Sequence, residues 1–253
     1  MSRENTSIKT ATKAGTKDQD HELVQASELW TRPEPDARQT QLSRIEIANK
    51  AMELADSDGI DALSMRRLAE SLNVGTMTLY SYVRNKDELL LLLSDAVMQK
   101  TIIAKDKLGD DWREALIKIA CRAKKVFGAH PWFFDIQDDN GPGPNSIKHY
   151  DHTLQAIMHL DITLAQKADI LATVYNHIFG YCAADRHVSK KGPSAECFNE
   201  YIASLIGSGQ YPAIEQICSN KGVHGAFEEI RKAKHDPKRF ERNLRQLLDG
   251  FDY

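Results

Sequence analysis

The heptapeptide TMTLYSY, residues 76–82, carries five hydroxyl side chains, one thioether and no charge. Thr76, Met77, Thr78 and Ser81 are side chains that can meet base edges and thymine methyl groups in a DNA major groove, and the hydroxyls of Tyr80 and Tyr82 can bond phosphates. Arg66, Arg67, Arg84 and Lys86 bracket the stretch. Lys86 also opens a segment that Asn85 and Glu88 are spaced to cap, and a helix N-terminus attracts anions. The same residues equally suit a three-helix packing module with solvated charges. Tyr80 fits either reading, since its ring can pack while its hydroxyl stays outside. Spacing alone leaves both open, because helix-turn-helix patterns are permissive.

Aromatic and imidazole groups gather further along, at His130, Trp132, Phe133 and Phe134, at His149, Tyr150 and His152, and at Tyr175, Asn176, His177, Phe179 and Tyr181. Walls of this kind suit an organic effector of moderate size, and the alternative is that they simply build core. The candidate ligand residues are His130, Trp132, Phe133, His149, His152, Tyr175, Asn176 and Phe179. His149 and His152 stand at i, i+3, with His159 seven further on. Without a carboxylate or cysteine partner that pair is a poor metal site, so no metal and no cofactor are expected. Catalytic residues are not expected either: the chain has no phosphate loop after a strand, no GxSxG, no HExxH and no CxxC. The alternatives to a DNA-binding module are an all-α enzyme and a structural dimer without DNA binding.

These side chains must be positioned by helices. Ser43 and Glu46 form a capping box before Ile47, Ala48, Ala51, Leu54 and Ala55, which fall on one helical face. Gly59 stops that helix. Ser64 caps a second one, with Leu68, Ala69 and Leu72 inward. A break at Asn73, Val74 and Gly75 uses two residue types that tolerate positive φ. A short third helix follows, and a fourth runs over 86–100. Leu68, Leu72, Val74, Leu79 and Val83 supply the contacts that fix the angle between the second and third. Beyond these, helical periodicity covers 112–127, 145–159, 164–185, 195–206, 210–218, 223–234 and 238–249, and strand-type alternation is absent. The chain reads as all-α.

Net charge of -3 over 253 residues gives no chain-wide attraction for nucleic acid. Over residues 41–90, six basic side chains face eight acidic ones, so distribution rather than total carries any DNA contact. Cys121, Cys182, Cys197 and Cys218 are widely separated and read as reduced thiols. No apolar run reaches the ~18 residues of a membrane span, and no signal-peptide core is seen. A cytoplasmic protein without membrane contact is expected. Residues 1–40 read as a disordered extension by composition, with an arm that supplements DNA binding as the alternative; Trp30 is placed to dock on the body in either case.

The run LSRIEIANKAMELADSDGIDALSMRRLAESLNVGTMTLYSYVRNKDELL resembles the DNA-binding domain of the tetracycline-repressor family of bacterial transcription regulators. The resemblance rests on Ala48–Ala51, Gly59, ALSMRRLA, Val74-Gly75, Leu79-Tyr80, Lys86 and Leu89. It implies base contacts from Arg66, Thr76, Met77, Thr78 and Ser81, and phosphate contacts from Ser64, Tyr80, Tyr82 and Lys86. Tyr82 stands where many members carry His, and Gly75-Thr76 where others carry larger polar residues, so the operator sequence does not carry over. DWREALIKIACRAKKVFGAHPW and FERNLRQLLDGF resemble the family's ligand-binding and dimerisation domain. The implied organisation is a helix-turn-helix DNA-binding domain at 41–88 and a larger helical domain at 89–253. The implied partners are a double-stranded palindromic operator, a small organic effector that releases it, and a second copy of the chain. The homodimer would form through 164–185 and 238–249, with Phe240, Leu244, Leu247 and Leu248 as the seam.

Overall fold

A computed structural model describes residues 28–35, 42–136, 141–188, 195–206, 209–234 and 236–252. No strand occurs among the described residues. Contacts divide the chain into two compact units, 1–161 and 162–253.

In the first unit α1 (Arg44–Asp58), α2 (Met65–Ser71), α3 (Thr76–Tyr82), α4 (Lys86–Thr101), α5 (Trp112–Ala129) and α6 (Pro144–Gln155) follow in order. Both bonds of the Ser43–Glu46 capping box are formed at the start of α1, and Gly59 ends the helix at φ 84°. That positive φ is accessible to glycine without the Cβ clash other residues meet. Ser64 Oγ accepts the Arg67 N–H at the start of α2. In the turn between α2 and α3, Asn73 takes φ 55°, the left-handed region asparagine tolerates. Gly75 is extended (φ -69°) and serves as the N-cap of α3, so only one of the two expected positive-φ positions is used. Ile47, Ala48, Ala51, Leu68, Ala69, Leu79 and Val83 are buried, as are Leu89 and Leu93 on the facing side of α4. Those apolar side chains set the angle between α2 and α3.

Three expectations meet the structure here. The division expected at 88/89 falls within the first turn of α4, which packs on α1, α5 and α6 alike. The expected Asn85–Glu88 capping box is half formed: Asn85 Oδ1 accepts the Glu88 N–H at 2.8 Å, but the Glu88 carboxylate turns to the Arg84 N–H and to Arg32. The cause is an ion pair with a residue 56 positions earlier. The third concerns the extension. Residues 28–31 are helical, with Leu29 fully buried, so the disorder expected there does not hold. Residues 1–27 and 36–40 of the extension lie outside the described residues, and with them most of the expected DNA-contacting arm.

The second unit holds α7 (Leu164–Val188), α8 (Ala195–Ile206), α9 (Pro212–Cys218), α10 (Gly222–Lys234) and α11 (Arg239–Asp249). A capping box missed in the sequence starts α7: Thr163 Oγ1 accepts the Gln166 N–H, and Gln166 Oε1 accepts the Thr163 N–H. α11 lies on α7, where His177 Nε2 donates to the Phe240 carbonyl at 2.9 Å. The Tyr181 and Phe240 rings meet edge to face at 5.1 Å, and Asn243 donates to the Tyr181 hydroxyl. Phe240, Leu244 and Leu248 are buried by this packing inside the chain. The expected seam is corrected accordingly, since only Leu247 of that stripe is exposed, at 46%.

Candidate nucleic-acid interface and effector cavity

Packing decides which side of α3 is free. Leu79 and Tyr82 are fully buried, leaving Thr76, Met77, Tyr80 and Ser81 exposed and Thr78 partly so. Met77 is 81% exposed and Tyr80 41%; a large apolar side chain held that far into water is uncommon without a partner to meet. Ser81 Oγ donates to the Thr78 carbonyl at 2.6 Å, which leaves its lone pairs outward. Tyr82 is a correction. Its ring and hydroxyl are sealed in the core, so the phosphate contact expected of it has no route in this fold.

The charged rim is less open than its sequence reads. Arg66 pairs with Glu70 on α2, Arg67 with Asp58, and Arg84 with Glu28. Such exposed pairs are weak in water, so a phosphate can displace the carboxylate. Lys86 is exposed at the first position of α4 and has no ion-pair partner among the described residues. Ser64 is exposed, with its hydroxyl oxygen engaged at the N-cap of α2.

Five of the eight candidate effector residues belong to the first unit, and three of these are structural. Asp56 Oδ1, near the end of α1, accepts both His130 Nδ1 at 2.8 Å and Trp132 Nε1 at 2.7 Å. Phe133 is buried and stacks on Phe127 at 4.7 Å. His130, Trp132 and Phe133 are thus a clasp between α1 and the turn after α5, and their expected place in a ligand wall is corrected. The physical reason is Asp56, whose carboxylate supplies the acceptor both N–H groups need.

His149 is also buried, with Nδ1 at 2.8 Å from Thr101 Oγ1. The Thr101 hydroxyl proton goes to the Met98 carbonyl, so His149 donates from Nδ1 as a neutral imidazole. Burial, with the neighbouring His152, lowers its pKa to about 4. His152 Nδ1 turns to the Ile103 carbonyl at 3.3 Å, and no cluster of three metal-ligating side chains occurs among the described residues.

His152 does reach a cavity of about 430 Å³. Lys105, Asp106, Asp110, His152, Gln155 and His159 supply its polar wall, and Leu108, Ala115 and Ala156 its apolar one. Residues 105–110 are neither aromatic nor periodic, so their sequence carries no sign of a cavity wall. Tyr175, Asn176 and Phe179 lie on α7 in the second unit, where Tyr175 is half-buried and Asn176 and Phe179 are exposed.

Comparisons bear on this architecture directly. Residues 47–93 match the family model described as bacterial regulatory proteins, tetR family, and residues 106–253 the one described as tetracyclin repressor-like, C-terminal domain. The chain is 28% identical over 210 residues to the HTH-type transcriptional repressor DrrR1 of Streptomyces coeruleorubidus, covering 81% of this chain and 76% of that one. An HTH-type transcriptional regulator of Saccharopolyspora erythraea is 30% identical over 191 residues, covering 74% and 79%. Among solved structures, apo ActR from Streptomyces coelicolor is 25% identical with a TM-score of 0.62, covering 83% of this chain and 94% of that one. ActR bound to (S)-DNPA is similar at a TM-score of 0.60 and 25% identity, covering 83% and 96%.

Proposed function

The chain belongs to the tetracycline-repressor family of bacterial transcriptional regulators, and from that premise we propose that it is an effector-released repressor, acting as a homodimer on a palindromic operator. The observation that carries this reading is the outward face of α3, where Thr76, Met77, Thr78 and Ser81 stand clear of the core while Leu79 and Tyr82 anchor the helix. These four, with Arg66, read bases. Ser64, Tyr80 and Lys86 hold the phosphate backbone. The head is taken as residues 42–101, with α4 joining it to the rest of the unit. Two heads related by a two-fold axis meet half-sites about 34–36 Å apart or a multiple of that. α7 and α11 carry the contact between copies, Leu247 being the apolar side chain of α11 left outward. The protein works in the cytoplasm, and its output is promoter occupancy rather than a catalysed reaction. No helix among the described residues is long and apolar enough to cross a membrane.

The relative ActR was solved both apo and with (S)-DNPA, and this chain has a cavity of a size suited to a small organic molecule. Its mixed wall of imidazole, lysine, carboxylate and aliphatic groups favours an effector with polar substituents on an apolar body. A differential affinity of ~1–3 kcal/mol between the DNA-bound and released states is enough to switch occupancy. The test is a mobility-shift titration with duplexes from the region upstream of the protein's own gene. Binding that survives excess scrambled duplex is expected; no binding to any such duplex at low salt would overturn the reading.

A further inference from the structure

The helical turn at 28–31 and Arg32 are built into the DNA-reading head rather than trailing from it. The Arg32 guanidinium makes a two-pronged pair with Glu88 on α4, Nη1 to Oε1 at 3.1 Å and Nη2 to Oε2 at 2.6 Å. Its Nη2 also donates to the Tyr82 carbonyl at 3.1 Å. That carbonyl is the last of α3, one of the groups a helix leaves without an internal partner. Arg44 completes the knot, donating from Nε to the same carbonyl at 3.3 Å and from Nη1 to the Arg32 carbonyl at 2.8 Å. The Arg84 N–H, between α3 and α4, closes on Glu88 at 2.8 Å. Leu29 is fully buried and Glu28 pairs with Arg84. Trp30 seats the segment elsewhere, beside Gly143 at the start of α6, where any Cβ on Gly143 would run into the Trp30 ring and the Asp95 carboxylate.

A seven-residue helix has little intrinsic stability. α3 has no side-chain N-cap, so its direction depends on how its ends are held. We propose that Arg32 is a positioning residue for DNA recognition: residues 28–32 form a strap that fixes the C-terminal end of the recognition helix to α4. This rests on the reading of α3 as the DNA-contacting helix. Arg32 touches no phosphate in this role. Its guanidinium is spent on a carboxylate and a carbonyl, and its fork geometry is what a lysine lacks.

The experiment uses the full chain and the variants Arg32→Ala, Arg32→Lys and Trp30→Ala. Each is titrated with the upstream duplex and with a scrambled duplex of equal length, across a salt series. In parallel, amide hydrogen exchange is followed in α3, with α5 as the internal reference for folded protein. The Ala variants should bind the upstream duplex about tenfold more weakly, with scrambled-duplex affinity and salt slope unchanged. Exchange in α3 should rise while α5 stays protected, and Arg32→Lys should recover part of both effects. A salt slope reduced by about 1 with equal loss on both duplexes would make Arg32 a phosphate contact and overturn the proposal. Unchanged α3 exchange in both Ala variants would overturn it too. Should wild-type protein discriminate between no duplexes, the repressor reading falls, and the exchange data still decide whether the strap holds α3.

Discussion

In the proposed function Thr78 and Lys86 stand for the two kinds of DNA contact, base and phosphate. Thr78 presents a hydroxyl and a methyl from the partly exposed side of α3, so Thr78→Ala should relax sequence preference at one operator position by roughly 1–3 kcal/mol. Met77→Ala should do the same where a thymine methyl is read. Lys86→Ala should instead weaken binding to every duplex alike and reduce the salt slope by about 1. Selection from a random duplex pool checks the first pair, and a salt titration the second. A Lys86→Ala protein with the wild-type slope would refute its assignment. In TMTLYSY the inward Leu79 and the outward Thr76, Met77, Thr78 and Ser81 were legible in the sequence, but the burial of Tyr82 was not. Tyr82 looks equivalent to Tyr80 in composition and is separated from it only by where the hydrophobic face of α3 lands.

At the level of elements, the N-terminus of α6 shows how one helix constrains another. Asp95 on α4 accepts the N–H groups of Asn145 and Ser146 and the Asn145 side-chain amide, satisfying donors that the first turn of α6 leaves open. Burial raises the Asp95 pKa even against those bonds. Gly143 is the residue that lets the carboxylate approach. Gly143→Ala should therefore destabilise the first unit by about 1–3 kcal/mol. Gly128, in the last turn of α5, has nothing within 4 Å of an added Cβ, so Gly128→Ala should stabilise by roughly 0.5 kcal/mol. Urea unfolding of the two variants should give shifts of opposite sign. Caps at Ser43 and Ser64 are local and readable, because both partners lie within three residues. The Asp95 cap spans 50 residues and has no sequence signature.

For the molecule as a whole, buried titratable groups link folding to pH. His149 has its pKa lowered to about 4, so it favours the folded state fully above the unfolded value near 6.5. That contribution is lost as pH falls from about 6.5 towards 4, on the order of 3 kcal/mol in all. Glu88 acts in the same sense at lower pH. Burial pushes it up, but Arg32 and the Arg84 N–H bring it below the usual carboxylate range, and its contribution disappears as pH drops through that depressed value. Asp95, being raised, has the opposite sign and offsets part of the loss. Thermal unfolding at pH 7 and pH 5 should show an acid-labile wild type and a smaller loss in His149→Gln. Equal losses in both would place the acid sensitivity elsewhere. Sedimentation at pH 7 should give twice the chain mass if α7 and α11 join two copies.

The sequence by itself determined the helices, most of their caps, the turn before the recognition helix and the family. Each of these depends on patterns within a few residues: 3.6-residue periodicity, a capping side chain, an asparagine able to take positive φ. Tertiary structure decided where the long-range polar bonds go. His130 and Trp132 looked like a ligand wall until Asp56 claimed their N–H groups, and Phe240, Leu244 and Leu248 looked like a dimer seam until α7 covered them. Arg32 sits in a stretch that composition marks as extension, and only folding brings it to Glu88 and the end of α3. A buried donor takes whichever acceptor the fold presents, and an apolar stripe takes whichever surface reaches it first. Sequence shows the need, and packing selects the partner.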